Sequence, residues 1–554
     1  MPADPVAIVK RYDTLKTRRE NFIPLWDECS EFIVPHRGSI LNREQNAITP
    51  GQRQTTRLFD ATGAESAHNL AANMGGSLTS QAAPWFHLKT RDDRVNKIKR
   101  VMDWLEDTEQ RLYLAYRQSN YYAEVNEVYL DLAAFGTGCM FVGEKEPEDP
   151  AEPFGGFLFR AHPVGAYVIA EGPDGVVDTI MREEQMTARA CAILWPGQLG
   201  EVLQGLAETK PDELVTILHA VYPRSDANPG KYAATNMAWA SCYVDLARKR
   251  IIDEGGFKDF RYVVPRWEKT SGEVYGRGPG MLALPDIRSL NRADEMVLDA
   301  GAMAIRPPKT ILVDGVLGEI DETPGGYTVI EIPNAINPMN LGAKFDVAQI
   351  LNEDRRQRVR RIFFWEQLQL PTGKTMTATE VERRWDTMRR ILGPTLGRLE
   401  SEFLNKIIGL TFAMMLRRGA FTQPPPELAG QDLDIEYEGP LARSQKSSRL
   451  SALEQSLTLF GPLFADPEFL AKFKENTEMD AMIRDVGLTA GWPSEWLTDT
   501  EQRDQLRAQR MQKEAVMQQL AMAEQAAGAA GKAAPMLKTL SDSAAQQQPQ
   551  EAAA

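Results

Sequence analysis

Residues 285–304, PDIRSLNRADEMVLDAGAMA, and residues 345–369, FDVAQILNEDRRQRVRRIFFWEQLQ, decide the fold between them. In the first, Ile287, Leu290, Ala293, Met296, Val297 and Ala300 recur at the spacing of a helix with one apolar face. Arg306-Pro307-Pro308 ends it, because proline lacks the amide hydrogen and clashes with the preceding turn. Between the two helices, KTILVDG (309–315) and YTVIEIP (327–333) read as short strands separated by Gly- and Pro-bearing turns. Two helices therefore bracket a small β element, an arrangement suited to a protruding tip.

Downstream of Pro371-Thr372-Gly373-Lys374, an apolar stripe runs over residues 378–418: Val381, Trp385, Met388, Leu392, Leu399, Phe403, Ile407, Leu410 and Met414. Thr379 and Glu382 have capping-box spacing at its start, as do Thr377 and Glu380, and Gly393-Pro394 predicts a kink. At 1.5 Å per residue such a helix reaches roughly 60 Å, the length of a strut. Upstream, Val95, Ile98, Met102, Leu105, Leu112 and Ala115, and then the run 121–135 stopped by Gly136-Thr137-Gly138, predict a helical layer over the first 135 residues. Short apolar runs from Cys139 to Val264 predict a small β-rich or α+β subdomain, with Gly172-Pro173-Asp174-Gly175 as a hairpin turn. Beyond Pro424-Pro425-Pro426 come a strand candidate, DLDIEYEG (432–439), helices over residues 442–527, and an Ala-, Gln- and Ser-rich tail at 528–554 with the composition of disordered chain.

The chain has 554 residues, enough for several domains, and its 43% hydrophobic and 25% charged residues exclude wholesale disorder and a disulfide-stapled miniprotein. No window approaches the roughly 18 apolar residues of a membrane span, and the N-terminus turns charged too early for a signal peptide, so a cytoplasmic chain is expected. Cys29, Cys139, Cys191 and Cys242 are widely separated, which suits reduced, structural thiols and no thiolate metal site.

Motifs of small-molecule chemistry fail on spacing. Gly373-Lys374-Thr375 resembles the end of a phosphate-binding loop, but Leu368 stands where the first glycine belongs. In Gly276-Arg277-Gly278-Pro279-Gly280, Met281 replaces the third glycine of a dinucleotide fingerprint and Pro279 is expected to disturb a helix start, so a sharp turn is the reading. His36, His68, His87, His162 and His219 have no paired ligand spacing, and no GxSxG elbow occurs. No catalytic residue, metal or cofactor is expected. Residues 351–420 carry 14 Lys+Arg against 8 Asp+Glu, a balance of +6 in a chain of net charge -14. The densest run, Arg355, Arg356, Arg358, Arg360 and Arg361, can grip nucleic-acid phosphates or an acidic neighbour, or form a solvated face paired with Glu353 and Asp354.

Five phrases in this order, RRENFIPLWDECSEFIVPHRG (18–38), FGTG (135–138), YGRGPGMLALPDIRSLN (275–291), MTATEVERR (376–384) and IEYEGPLARSQK (435–446), resemble the portal, or head-to-tail connector, proteins of short-tailed bacteriophages. The resemblance implies an α+β, mainly helical portal fold assembled as a ring, usually of twelve copies, at one capsid vertex. It places a wing at 1–272, the first stem helix at 273–306, a clip at 307–342 and the second stem helix at 343–370. A tunnel loop follows at 371–377, the long wing helix and C-terminal wing at 378–491, and a crown at 492–527 before the tail. Pro371, Thr372, Gly373, Lys374, Thr375, Met376 and Thr377 would then line the narrowest part of the channel.

The implied function is passage of viral DNA into and out of the capsid, without catalysis. The implied partners are double-stranded DNA, the terminase large subunit, major capsid and scaffolding proteins and a tail adaptor, with no membrane. Such a protein belongs in the virion, and in host cytoplasm during assembly. A nucleic-acid-processing enzyme with a spatially assembled site, or another capsid or tail structural protein, is the alternative.

Overall fold

The computed structural model describes residues 4–37, 57–82, 84–96, 98–147, 149, 153–227, 233–305, 309–311, 329–333, 336–338, 345–365, 393–428, 433–437, 454–456, 458–476, 479–489, 496, 503, 505–519 and 522. They fall into two compact units, the first made of Met1–Leu88, Asp107–Gln423 and Asp434–Gln445, the second of Lys89–Glu106, Pro424–Leu433 and Lys446–Ala554.

In chain order the elements of the first half are α1 (Pro5–Arg19), α2 (Ile23–Phe32), α3 (Thr62–Leu78), β1 (Phe86–Thr90), α4 (Asp93–Asn96), α5 (Lys99–Gln118) and α6 (Tyr121–Phe135). The β-rich part holds β2 (Met140–Glu144), β3 (Phe157–Ala161), β4 (Tyr167–Glu171), β5 (Val177–Thr187), α7 (Ala188–Leu194), α8 (Glu201–Thr209), β6 (Leu214–Pro223), β7 (Trp239–Asp245), β8 (Arg250–Phe257) and β9 (Tyr262–Val263). Then come α9 (Pro279–Ile305), β10 (Lys309–Ile311), β11 (Ile336–Pro338), α10 (Phe345–Ile362), α11 (Asn405–Arg417), β12 (Leu433–Tyr437), α12 (Pro467–Asn476) and α13 (Met479–Thr489).

The β-rich subdomain forms as the apolar runs require. Strands β4 to β8 make an antiparallel meander in sequence order, and β2 lies between β3 and β9 in a second sheet. The β4–β5 turn closes with Gly175 N–H donating to Gly172 O at 3.0 Å. Both faces of the meander are covered. On one, α1 lays Ile8, Val9, Tyr12 and Leu15 against Val168, Met181, Leu218 and Val244. On the other, Cys191 and Trp195 of the α7 segment and Leu203 of α8 meet Val215, Ile217 and Ile252.

This corrects the expectation of one N-terminal helical layer. Helix α1 belongs to the sheet, because its Ile8-Val9-Tyr12-Leu15 stripe covers strand residues, and β1 interrupts the helices at residue 86. Around β1, the Tyr113 hydroxyl accepts from Trp85 N (2.9 Å) and Phe86 N (2.8 Å) and donates to Phe86 O (2.7 Å). The four cysteines are free and buried, as their spacing suggests.

Beneath the meander lies a buried polar cluster. His219 is hydrogen-bonded through Nδ1 to the Tyr262 hydroxyl (2.9 Å) and through Nε2 to Ser241 Oγ (3.0 Å), and it stacks on Tyr243 at 4.3 Å. Burial first, and then the nearby Arg182, push the pKa values of His219 and His162 down to about 3. Both rings are therefore neutral in the folded chain but protonate near 6.5 once unfolded. Stability is whole above pH 6.5 and falls toward pH 3 by as much as about 1.4 kcal/mol per pH unit for each ring. Urea titrations between pH 7 and pH 4 should show this slope, and His219→Gln should make it shallower; equal slopes would remove His219 from the acid response.

The two helices that bracket the tip keep their expected tip-side ends, Ile305 and Phe345, and depart from the sequence expectation at their far ends. Helix α9 starts at Pro279, not Pro285, and carries Pro285 inside it. Met281, Ala283 and Leu284 before Pro285 are buried along with Ile287 and Leu290 after it, so burial extends the helix backwards through the proline. Helix α10 runs to Ile362 and is interrupted at Phe363–Phe364, where Phe364 takes a left-handed conformation with φ 58°; the expected continuation over residues 366–369 lies outside the described residues. Strand β10 pairs antiparallel with Ile336–Pro338, a few residues beyond the YTVIEIP run.

The described part of the strut, from residue 393, is helical and includes a π-helical segment at Glu400–Leu404 before α11. The capping boxes and Trp385 lie outside the described residues. In the second unit, Asp480 of α13 accepts from Arg503 (3.2 Å) and Arg507 (2.6 Å), which ties helical residues 505–519 to α13.

Candidate functional site

Two of the distinctive phrases meet in space. Helix α6 ends in FGTG, where Gly136 takes φ 73° and donates to Leu132 O at 3.0 Å, closing the helix C-terminus. The GRGPG run then crosses that terminus in direct backbone contact. A side-chain carbon on Gly136 would lie 2.2 Å from Gly278 N, and one on Gly278 would lie 2.6 Å from Leu132 O. The crossing is stitched by Gly276 N donating to the fully buried Thr137 Oγ1 (2.8 Å), Trp267 N to Gly136 O (2.9 Å) and Gly138 N to Pro265 O (3.1 Å).

Pro279 opens α9 there. The expectation that it would disturb a helix start is overturned, since the first helical position needs no N–H and proline's fixed φ suits it. The GRGPG run is a launch point for a 27-residue helix.

Helix α9 packs on α10, and an ionic clamp sets their register. Arg356 donates through Nε to Asp60 Oδ2 (2.9 Å) and through Nη2 to Asp294 Oδ2 (2.5 Å), while Asn352 Nδ2 donates to Asp294 Oδ1 (2.6 Å). Asp60 is itself placed by α3 and α9: its Oδ1 accepts from Thr62 N (2.9 Å) and its N–H donates to Asn291 Oδ1 (3.2 Å). Burial and then the Asp60 carboxylate push Asp294 up against the opposing pull of Arg356. Burial disfavours the Arg356 charge, yet the two carboxylates hold its pKa above the ordinary arginine range.

The arginine run therefore divides. Arg356 is bound within its own subunit. Arg358 pairs with Asp354 one turn back at 2.6 Å, and Arg360 with Glu353 at 3.5 Å while lying over Trp365. Arg355 lines an open groove of about 900 Å³ with Phe59, Arg288, Arg292 and Met296, and Arg361 is exposed. Pro371, Thr372, Gly373, Lys374, Thr375, Met376 and Thr377 all lie outside the described residues.

A second ionic centre carried no sequence signal. Arg266, 1% exposed, donates Nε to Glu402 Oε2 (3.0 Å), Nη2 to Glu402 Oε1 (2.7 Å) and to Gly175 O (3.1 Å), and Nη1 to Glu171. Glu402 sits inside the π-helical segment, so the strut is tied to the β4–β5 turn and to β4 at the place where its helical winding changes.

The family model for the bacteriophage head to tail connecting protein matches residues 6–497. The chain belongs to that family. Its fold is accordingly the mixed, mainly helical fold of a head-to-tail connector. A probable portal protein of Bordetella phage BPP-1 is 29% identical over 95% of this chain and 94% of its own length. A portal protein of Salmonella phage epsilon15 is 28% identical, covering 97% and 95%. The portal protein of Escherichia phage T7 is 21% identical over 82% and 83%. Among the described residues of this connector, no helix is long and apolar enough to cross a membrane, and no group of three or more His, Cys, Asp or Glu side chains is placed to hold a metal ion.

Proposed function

We propose that this connector is the portal of a tailed bacteriophage: a ring of about twelve copies at one vertex of the virion, through which DNA is packaged and later ejected. The observation that carries the reading is the family match over residues 6–497, nearly the whole chain, with relatives that are named portal proteins. The helix–β–helix of α9, β10, β11 and α10 supports it, as a tip that can stand clear of the rest of the subunit.

In this reading α9 and α10 form the stem and residues 307–342 the clip, with 371–377 the tunnel loop and 492–527 the crown. The ring docks the terminase large subunit and the tail adaptor and contacts capsid and scaffolding proteins; it hydrolyses nothing itself. It assembles in host cytoplasm. A net charge of -14 per copy suits a channel through which phosphates must slide without being held.

The test is the mass of the purified protein by native mass spectrometry with class averages. A hollow ring of about 740 kDa, twelve times the 61.9 kDa chain, is expected. A chain that stays monomeric with scaffold present, or that cleaves DNA or hydrolyses nucleotides, overturns the reading. Lys374→Ala is expected to leave ring assembly intact and to alter DNA packaging or retention. Loss of rings in that variant would give Lys374 a structural role instead.

A further inference from the structure

The α9–α10 pair leaves an outward edge on each side, and the two edges differ. On α9, Arg292, Met296, Asp299 and Met303 follow at helical spacing, all exposed, away from Ile287, Leu290 and Asp294 on the packed side. On α10, Leu351, Asp354, Arg358 and Arg361 do the same, opposite the buried Asn352, Val359 and Phe363. Met296, between Arg292 and Asp299, and Leu351, which heads its row one turn before Asp354, are each 56% exposed.

The charges on each edge are already mixed. Arg292 pairs with Glu295 at 2.5 Å on one, Arg358 with Asp354 at 2.6 Å on the other. Exposed Met and Leu side chains beside arginines suit a protein interface, where Met and Arg are enriched and paired charges belong to the polar rim. A track for DNA phosphates would instead concentrate cations of one sign.

The clamp supplies the register. Asp294 bonds both Asn352 and Arg356, so it stands level with residues 352–356 of its own antiparallel α10. Rotation about an axis running along the helix pair carries every residue to the same level in the next copy. Counting in opposite directions from that level brings Met296 to within about one residue of Leu351, roughly 1.5 Å along the helix. Arg292 likewise comes level with the turn between Asp354 and Arg358.

We propose that the outward edge of α9 docks on the outward edge of α10 of a second copy. Met296 meets Leu351 there, and the Arg292–Glu295 pair meets the Asp354–Arg358 pair as a four-membered charge network. Each copy then offers one half of the contact on each side, the head-to-tail pattern that closes a ring. The inference rests on the ring reading above and names its contact.

Met296→Asp, Leu351→Lys and the double variant test it by ring yield against protein concentration. Each single variant should raise the concentration for half-assembly by about tenfold or more, and the double should return to within about threefold of the parent. Both positions are exposed, so the subunits should melt as the parent does. As a second measurement, Met296→Cys combined with Leu351→Cys should give an inter-copy ladder with a short bismaleimide, against a low background because the four native cysteines are buried. Rings that form equally well in every variant, a double that is not rescued, or assembled rings without a ladder overturn this contact and leave the ring reading standing. A parent protein that forms no ring overturns both.

Discussion

Arg266→Ala is expected to destabilise the first unit by about 3–5 kcal/mol, because it removes the cation from a buried cluster and leaves two carboxylates facing each other across the gap. Burial alone would disfavour the arginine's charge, but Glu402 and Glu171 hold its pKa above the ordinary arginine range. Lys269, 2.5 Å from Glu171, can compensate one carboxylate and leaves Glu402 without its bidentate partner. The urea midpoint should drop accordingly. Adding Glu402→Gln to Arg266→Ala should recover part of the loss, since the second change removes the uncompensated charge. A single variant that unfolds at the parent's midpoint would show that the cluster contributes nothing net.

Gly136→Ala combines two costs at one atom. Its φ of 73° disfavours a side chain by roughly 1–2 kcal/mol, and a carbon 2.2 Å from Gly278 N forces the α6–α9 crossing apart, adding about 1–3 kcal/mol. Gly197 separates the two effects, because it has nearly the same φ, 76°, with nothing within 4 Å of the added carbon. Gly197→Ala should therefore show the conformational cost alone. Hydrogen exchange provides a second readout: the Trp267 and Gly276 amides that stitch the crossing should lose protection in Gly136→Ala and keep it in Gly197→Ala. Equal effects of the two substitutions would show that the backbone contact carries no energy of its own.

How much was legible follows from the range of the interactions involved. Helices α6, α9, α10 and the β4–β5 hairpin announce themselves through period and turn chemistry, which are properties of neighbouring residues. Their ends were less legible. Pro285 reads as a helix start, and burial of Met281, Ala283 and Leu284 carries α9 back to Pro279. The stripe of α1 reads as one more member of a helical layer, and it covers strands contributed some 160 to 240 residues later.

The candidate site divides in the same way. That Arg355 to Arg361 form a dense basic run is visible in the chain, but the role of each depends on distant carboxylates: Arg356 meets Asp60, 296 positions away. Arg266 and Glu402, 136 positions apart, show no local pattern at all.

By itself the amino-acid sequence determined the family, the helix–β–helix bracket, the basic run, the reduced cysteines and the glycines that permit a backbone crossing, because each is written in residue type and short spacing. Only the tertiary structure decided that FGTG closes against GRGPG and that Arg356 clamps two helices. It alone set Glu402 against Arg266 and left Met296 and Leu351 on opposite outward edges. Those outcomes turn on which side chains, far apart in the chain, share a desolvated space where an unpaired charge or an extra carbon is costly.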